Sequence, residues 1–252
     1  MAKYLKWSDG RKDRQAIRWI TKIQESLGAF PDGLIGKQTL LELYKKFADP
    51  TYPVCTKIFN VDVVYSRPDH IKIVETKNKR GLKDNEISGT FQYRNKFNGI
   101  AVSDGKLLGN ASAHSWANYP DTVIYYDGEN VGVKRCLTAN DLPLGTVWAI
   151  SGLGLHSFRP DVEGYSKFTF NGEKKDFTDV LRNTGHTAIG VNSADEIILA
   201  YIKGDALHVK DIMINKLKCK YAIMLDGGHI AAIKNEYSSH NSKQRQHNVI
   251  QY

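Results

Sequence analysis

The sequence predicts an α+β protein, a hairpin-rich mixed-sheet domain with packed helices preceded by a small helical module. Three observations carry this. The first 50 residues repeat their apolar positions at helical spacing. From Val54 onward, short β-branched and aromatic runs such as "IKIVET", "TVIYY", "HTAIGV" and "YAIML" alternate with glycine-containing turns. One amphipathic stretch, "ALHVKDIMINKL", interrupts the second region at about 206–217.

In the first region, "DRQAIRWITKIQESLG" sets Ala16, Ile20, Ile23 and Leu27 on one face of a helix, with Asp13 as N-cap and Gly28 as C-cap. "AFPDGLIG" reads as a turn. "KQTLLELYKKF" follows as a second helix with Leu40, Leu43, Tyr44 and Phe47 as its apolar face. The prolines of "ADPTYP" mark a linker at 48–53, so the expected division is 1–50 and 54–252. In the second region the stretch at 206–217 puts Val209, Ile212, Met213 and Leu217 on one side. A strand–helix–strand order there implies a parallel or mixed element among the hairpins.

Bulk properties narrow the function classes. The chain has 252 residues and a formal net charge of +8, which favours an anionic partner such as nucleic acid, an acidic wall polymer or a phosphorylated sugar. The densest basic stretch, "TKNKRGLK" at 76–83, reads as a solvated loop, and no aromatic-plus-basic stripe supports nucleic-acid binding. No run approaches the ~20 apolar residues of a membrane span. "MAKYLKWSDGRKDRQ" has no apolar core of a secretory signal, so folding in a cytoplasm is the expectation. Cys55, Cys136 and Cys219 are widely spaced with no C-x-x-C pair and are expected as reduced, mostly buried thiols. No His/Asp/Glu spacing argues for a metal, and no cofactor is implied.

The chain holds five Asp-Gly pairs, at Asp9, Asp32, Asp104, Asp127 and Asp226. Each suits a tight hairpin turn. Asp226, in "YAIMLDGGHIAAI", is therefore either a turn residue or a carboxylate on the end of a buried strand.

Two resemblances bear on this choice. "IQESLGAFPDGLIGKQT" at 23–39 resembles the peptidoglycan-binding type 1 family through Gln24, Leu27, Gly28, Asp32, Gly33, Gly36 and Thr39. Asp32-Gly33 suits a turn, Gly36 a close helix approach, and Thr39 the free amides of a helix start. The resemblance implies carbohydrate binding, for which Trp19 and Tyr44 are the candidate groove residues, although core packing is the favoured role for each.

Further on, four segments in order resemble the phosphodiester glycosidase family: "EISGTFQ" (86–92), "NGIAVSDGKLLG" (98–109), "HTAIGVNSADEIILAYIKG" (186–204) and "CKYAIMLDGGHIAAI" (219–233). The resemblance implies cleavage of a sugar-1-phosphodiester at its glycosidic C–O bond. It makes Asp226 the leading catalytic carboxylate and Glu86 the second. Gly89, Gly190, Gly227 and Gly228 give backbone permission, Thr90 and Thr187 are candidates for sugar hydroxyls with β propensity as the alternative, and Ser88 stands at a position expected to face the substrate. His186 stands where the family has Arg, Ser88 where it has Asn, and His229 and Ile230 where it has Gly and Ser. Arg182 and His186 are the expected phosphate holders, with His229 adding charge as the pH falls. His114 is a loop histidine that closes over a ligand in this scheme.

The favoured function is a hydrolase of glycosyl phosphodiesters in a bacterial wall polymer, tethered by the N-terminal module and released at lysis from a phage or prophage. The alternative is a non-catalytic binder that sequesters a sugar-phosphate or nucleotide-like ligand, because the replaced arginine and serine remove family substrate contacts.

Overall fold

The structure is a computed structural model, and it describes residues 14–48, 52–93, 96–97, 99–108, 121–156, 167–170, 173–176, 182–241 and 246–252. The chain divides into two compact units, Met1–Pro50 and Thr51–Tyr252. Asp13, the expected N-cap, and His114 lie outside the described residues.

The first unit contains helices α1 (Arg14–Leu27) and α2 (Lys37–Ala48). A polar hub organises it. Gln24, almost fully buried, donates through Nε2 to Asp32 Oδ1 (2.8 Å), Leu34 O (2.8 Å) and Thr39 Oγ1 (2.9 Å), while its Oε1 accepts Gly33 N–H (2.8 Å). Gly33 has φ +74°, and a Cβ there would lie 2.6 Å from Ile17 Cγ2. The motif residues therefore shape the turn between the helices.

The hub corrects several expectations. Gln24, Gln38 and Thr39 are buried, while Ile23 (46%) and Leu40 (55%), assigned to the apolar faces, are exposed. Thr39 donates to Leu34 O instead of capping amides. Gly36 has no close helix neighbour; nothing lies within 4 Å of a Cβ built there. Trp19 is 62% exposed, so it is not a core residue. Tyr44 lies in α2, and its side chain is outside what the structure describes.

Gln24→Ala leaves the buried Gly33 N–H without its acceptor and removes the shared donor to Asp32, Leu34 and Thr39, at a cost of about 2–4 kcal/mol. The full-length variant should be cut by protease between α1 and α2 while the second unit survives. Equal resistance in variant and wild type would contradict the hub.

In the second unit the strands run β1 (Val54–Ile58), β2 (Val61–Ser66), β3 (Lys72–Arg80), β4 (Glu86–Ser88), β5 (Gln92–Tyr93), β6 (Lys96–Phe97) and β7 (Ala101–Ser103). Next come β8 (Lys106–Leu108), β9 (Asp121–Tyr126), β10 (Val131–Cys136), β11 (Trp148–Gly154), β12 (Lys167–Phe170) and β13 (Glu173–Asp176). The last are β14 (Thr184–Val191), β15 (Ile197–Gly204), β16 (Tyr221–Gly227), β17 (Ile233–Lys234), β18 (Ser239–His240) and β19 (Gln246–Gln251).

A ten-stranded sheet runs β1-β2-β15-β14-β16-β11-β7-β8, with β9 and β10 joined through β11. A five-stranded sheet runs β18-β17-β4-β19-β3. Ile189, Leu199, Ile223 and Leu225 of the first sheet share one core with Ile73, Ile87, Ile233 and Ile250 of the second. Each such side chain contributes about 2 kcal/mol on burial. At the edges, buried Asp62 on β2 accepts from Ser238 and lies 2.7 Å from His240 Nε2. Tyr201 stacks on His240 at 4.4 Å.

The α+β class holds, but the expected parallel element does not. Every described pairing in the two sheets is antiparallel, because β14 lies between β15 and β16 and runs opposite to both. The helix between them begins at Ala206–Lys210, capped by Asp205 Oδ1 on His208 N (2.8 Å), and ends in a wider π-type turn at Asp211–Lys216. It buries Val209, Ile212, Met213 and Leu217, as its spacing predicts. Cys136 and Cys219 are buried and Cys55 partly so; burial, then the nearby Glu236 carboxylate, raises the Cys55 thiol to about 11. Among the described residues, no helix is long and apolar enough to cross a membrane.

Candidate functional site

The Asp-Gly pairs separate by structure. Asp104-Gly105 makes the tight hairpin between β7 and β8, with φ +50° and +71°, as a type I′ turn requires. Asp226-Gly227 is the end of a strand. It closes β16, with the positive φ delayed to Gly228 (+65°) and the next strand starting only at Ile233.

The local register explains the placement of Asp226. His186 pairs with Gly227, yet Ala188 pairs with Met224, so two steps along β14 face three along β16. The extra residue is a bulge at Leu225–Asp226, a device that turns a side chain off the strict alternation of a strand. Asp226 is 8% exposed. Its Oδ1 accepts Gly227 N–H (2.7 Å) and its Oδ2 accepts Gln92 N–H (3.2 Å). Its own N–H donates to Gly89 O (3.3 Å), and its carbonyl accepts Thr187 Oγ1 (3.0 Å). Backbone donors on both oxygens stabilise carboxylate charge and fix its direction.

His186 is 2% exposed. Its Nε2 lies 3.2 Å from Arg182 O, and since a carbonyl only accepts, Nε2 carries the proton. A Cβ on Gly227 would fall 2.3 Å from His186 Nδ1. Gly227 therefore lies between Asp226 and His186: it donates to one and makes room for the other. Arg182 is brought to His186 through its carbonyl, and its residue is exposed at the mouth of β14. Gly228 N–H bonds Gly185 O (2.8 Å), and His229 is exposed on the turn that follows.

The hydroxyls have inward tasks. Ser88 Oγ donates to Ile230 O (2.8 Å), Thr90 Oγ1 to Ser151 O (2.7 Å) and Thr187 to Asp226 O. Each donor proton is thus committed to the backbone, and these residues bind together the segments around Asp226 instead of offering a donor outward. A Cβ on Gly89 would lie 1.7 Å from Asn248 Oδ1, so glycine is required there. Gly190 serves the helix side, where a Cβ would meet Cys219 Sγ at 2.5 Å.

Glu86 is fully buried and accepts Lys83 N–H (2.7 Å) and Gln251 Nε2 (2.8 Å). Both oxygens thereby brace the start of β4. Among the described residues, no group of three or more His, Cys, Asp or Glu is placed to hold a metal.

Sequence reasoning missed Gln92, whose amide reaches Asp226, and the segment Gln246–Asn248. Gln246 Nε2 donates to Ile230 O (2.7 Å), His247 N to Gln92 Oε1 (3.1 Å) and Asn248 Nδ2 to Thr90 O (3.0 Å). The available signal was a buried-strand pattern, "NVIQ", opening on an asparagine that strands disfavour.

No family model matches the sequence, and no curated protein matches it. Among solved structures, the zebrafish N-acetylglucosamine-1-phosphodiester alpha-N-acetylglucosaminidase catalytic domain, auto-inhibited by its pro-peptide, is similar over 79% of this chain and 81% of that one. The TM-score is 0.54 and the identity 16%. A hypothetical protein from Synechocystis is a looser match, at TM-score 0.39 and 11% identity over 79% of this chain and 61% of that one. The likeness to the zebrafish domain is one of architecture: this chain has a phosphodiester glycosidase-like fold.

Proposed function

We propose that the protein is a hydrolase of glycosyl phosphodiesters with Asp226 as its working carboxylate. The observation that carries the reading is the placement of Asp226: a charged side chain at a bulged strand end, aimed by two backbone amides. The fold likeness agrees with it.

The chemistry asked of the site is modest. Water oxygen bonds to the anomeric carbon, the bond from that carbon to the phosphate oxygen breaks, and the electron pair leaves with the phosphate. The departing phosphomonoester is already a good leaving group, so a strong general acid is dispensable. Asp226 either takes the proton from water or steadies the cationic sugar centre. Arg182 and His229, both exposed, are proposed to receive the phosphate at the shared end of β14 and β16, with His186 buried behind them against the Arg182 carbonyl.

The test is release of free sugar from UDP-N-acetylglucosamine or a wall-polymer mimic by the full chain. A sugar-phosphate that is instead retained stoichiometrically and recovered intact would identify a binder.

The proposal includes a wall tether in the first unit. Trp19, Leu34 and Ile35 are each more than 60% exposed there, a surface suited to sugar faces. Tethering raises the local substrate concentration. The full chain should co-sediment with purified peptidoglycan, and Trp19→Ala should weaken this by about tenfold, the worth of one good aromatic contact. No co-sedimentation would retire the tether and, with it, the wall and lysis setting.

A further inference from the structure

Three consecutive residues of β19 hold both segments that flank Asp226. On one side Gln246 binds Ile230 O, beyond the Gly227-Gly228 turn. On the other, His247 N–H binds Gln92 Oε1, and Asn248 holds Gly89 and Thr90. Its backbone O accepts Gly89 N–H (3.2 Å), and its Nδ2 donates to Thr90 O (3.0 Å).

Asn248 is an expensive choice for this strand. It is 1% exposed, and its Oδ1 has no hydrogen-bond partner among the described residues. Burying an amide oxygen without a partner is costly, and asparagine is a poor strand former. A valine would serve the sheet better. What the carboxamide supplies is a wedge where the Cβ of Gly89 would stand and a donor to the Thr90 carbonyl. Both act on the segment whose Gly89 carbonyl and Gln92 amide bind Asp226.

We infer that Asn248 is a positioning residue that sets the direction of the Asp226 carboxylate through Gly89, Thr90 and Gln92. This rests on the proposed role of Asp226. The clamp is a physical chain of short contacts: Asn248 fixes residues 89–90, and residues 89–92 fix the carboxylate. A small misplacement of an aligned reacting group costs about 10²-fold in rate.

The test compares wild type with full-length Asn248→Ala by amide hydrogen exchange and by kinetics on UDP-N-acetylglucosamine. The clamp predicts that Gln92 amide exchange rises by at least about 10-fold while the β2–β15 ladder amides stay within about twofold. With it, kcat falls by about 10²-fold and KM moves less than about threefold. Unchanged Gln92 exchange, or exchange rising equally everywhere, would overturn the inference. If the wild type releases no sugar, the hydrolase proposal fails, and the exchange result alone still decides the clamp.

Should Asn248→Ala not fold, Asn248→Asp decides it. An aspartic acid can donate to Thr90 O only when protonated, so Gln92 protection should recover as the pH falls. Protection that is independent of pH would overturn the inference.

Discussion

Asp226→Asn should lower sugar release by at least about 10³-fold with a folded protein remaining, the scale expected when a general base or charge-stabilising carboxylate is neutralised. The substitution keeps the shape of the side chain. Its carbonyl oxygen can still accept Gly227 N–H, as Oδ1 does at 2.7 Å. Its NH₂ group would then face Gln92 N–H, donor against donor, where Oδ2 now accepts at 3.2 Å. That conflict costs about 1–3 kcal/mol of stability. A structural carboxylate would show this stability loss with little change in kcat once the protein is folded. A catalytic one shows the rate loss far in excess of it. Measuring kcat and the melting temperature on the same preparation separates the two outcomes.

Gly152→Ala should destabilise the second unit by about 3 kcal/mol. The position lies on β11 where it passes β16. A Cβ there would come within 2.5 Å of Met224 O, and within 3.3 Å of both Ile223 Cδ1 and Leu225 Cδ2. Met224 O is backbone in the interior of the large sheet, next to the Leu153–Met224 pair, so it cannot swing aside as a side-chain tip would. For a unit of this size the loss corresponds to a melting temperature lower by about 6–12 °C. Gly81→Ala is the control. Nothing lies within 4 Å of a Cβ built there, and its effect should stay within about 0.5 kcal/mol. Equal melting of the two variants would contradict the close approach that seats β16, and Asp226 with it.

The parts of the fold legible in the sequence are those governed by local periodicity. Val209, Ile212, Met213 and Leu217 repeat at helical spacing, and all four are buried. The runs "HTAIGV" and "YAIML" fall within β14 and β16, two neighbouring strands of the large sheet. Where polar groups organise the packing, the pattern misleads. Ile23 and Leu40 are displaced from the interior by Gln24 and Thr39, because a satisfied hydrogen-bond hub outweighs apolar spacing in so small a unit. The strand–helix–strand order around 196–225 suggested parallel neighbours, but which strand inserts between two others depends on pairings that no local pattern encodes.

The candidate site divides in the same way. Asp226 stands out in sequence through its Gly-Gly and the apolar run before it. The direction of its side chain depends on one extra residue of register against β14, which sequence spacing does not reveal. Asn248 and Gln246, on β19, reach Thr90 and Ile230 in the neighbouring segments; the first of these contacts joins residues 158 positions apart. Such pairs leave no spacing to read. The hydroxyls of Ser88, Thr90 and Thr187 were found as polar residues in the right segments, yet only the structure shows that their protons go to carbonyls.

The most direct measurement is hydrolysis of UDP-N-acetylglucosamine by the full chain in water enriched in ¹⁸O, with both products weighed by mass spectrometry. Attack at the anomeric carbon places the heavy oxygen on the released sugar and none on the nucleotide, and neutralising Asp226 removes that product. Heavy oxygen on the phosphate, or a substrate that stays intact through prolonged incubation, would contradict the account.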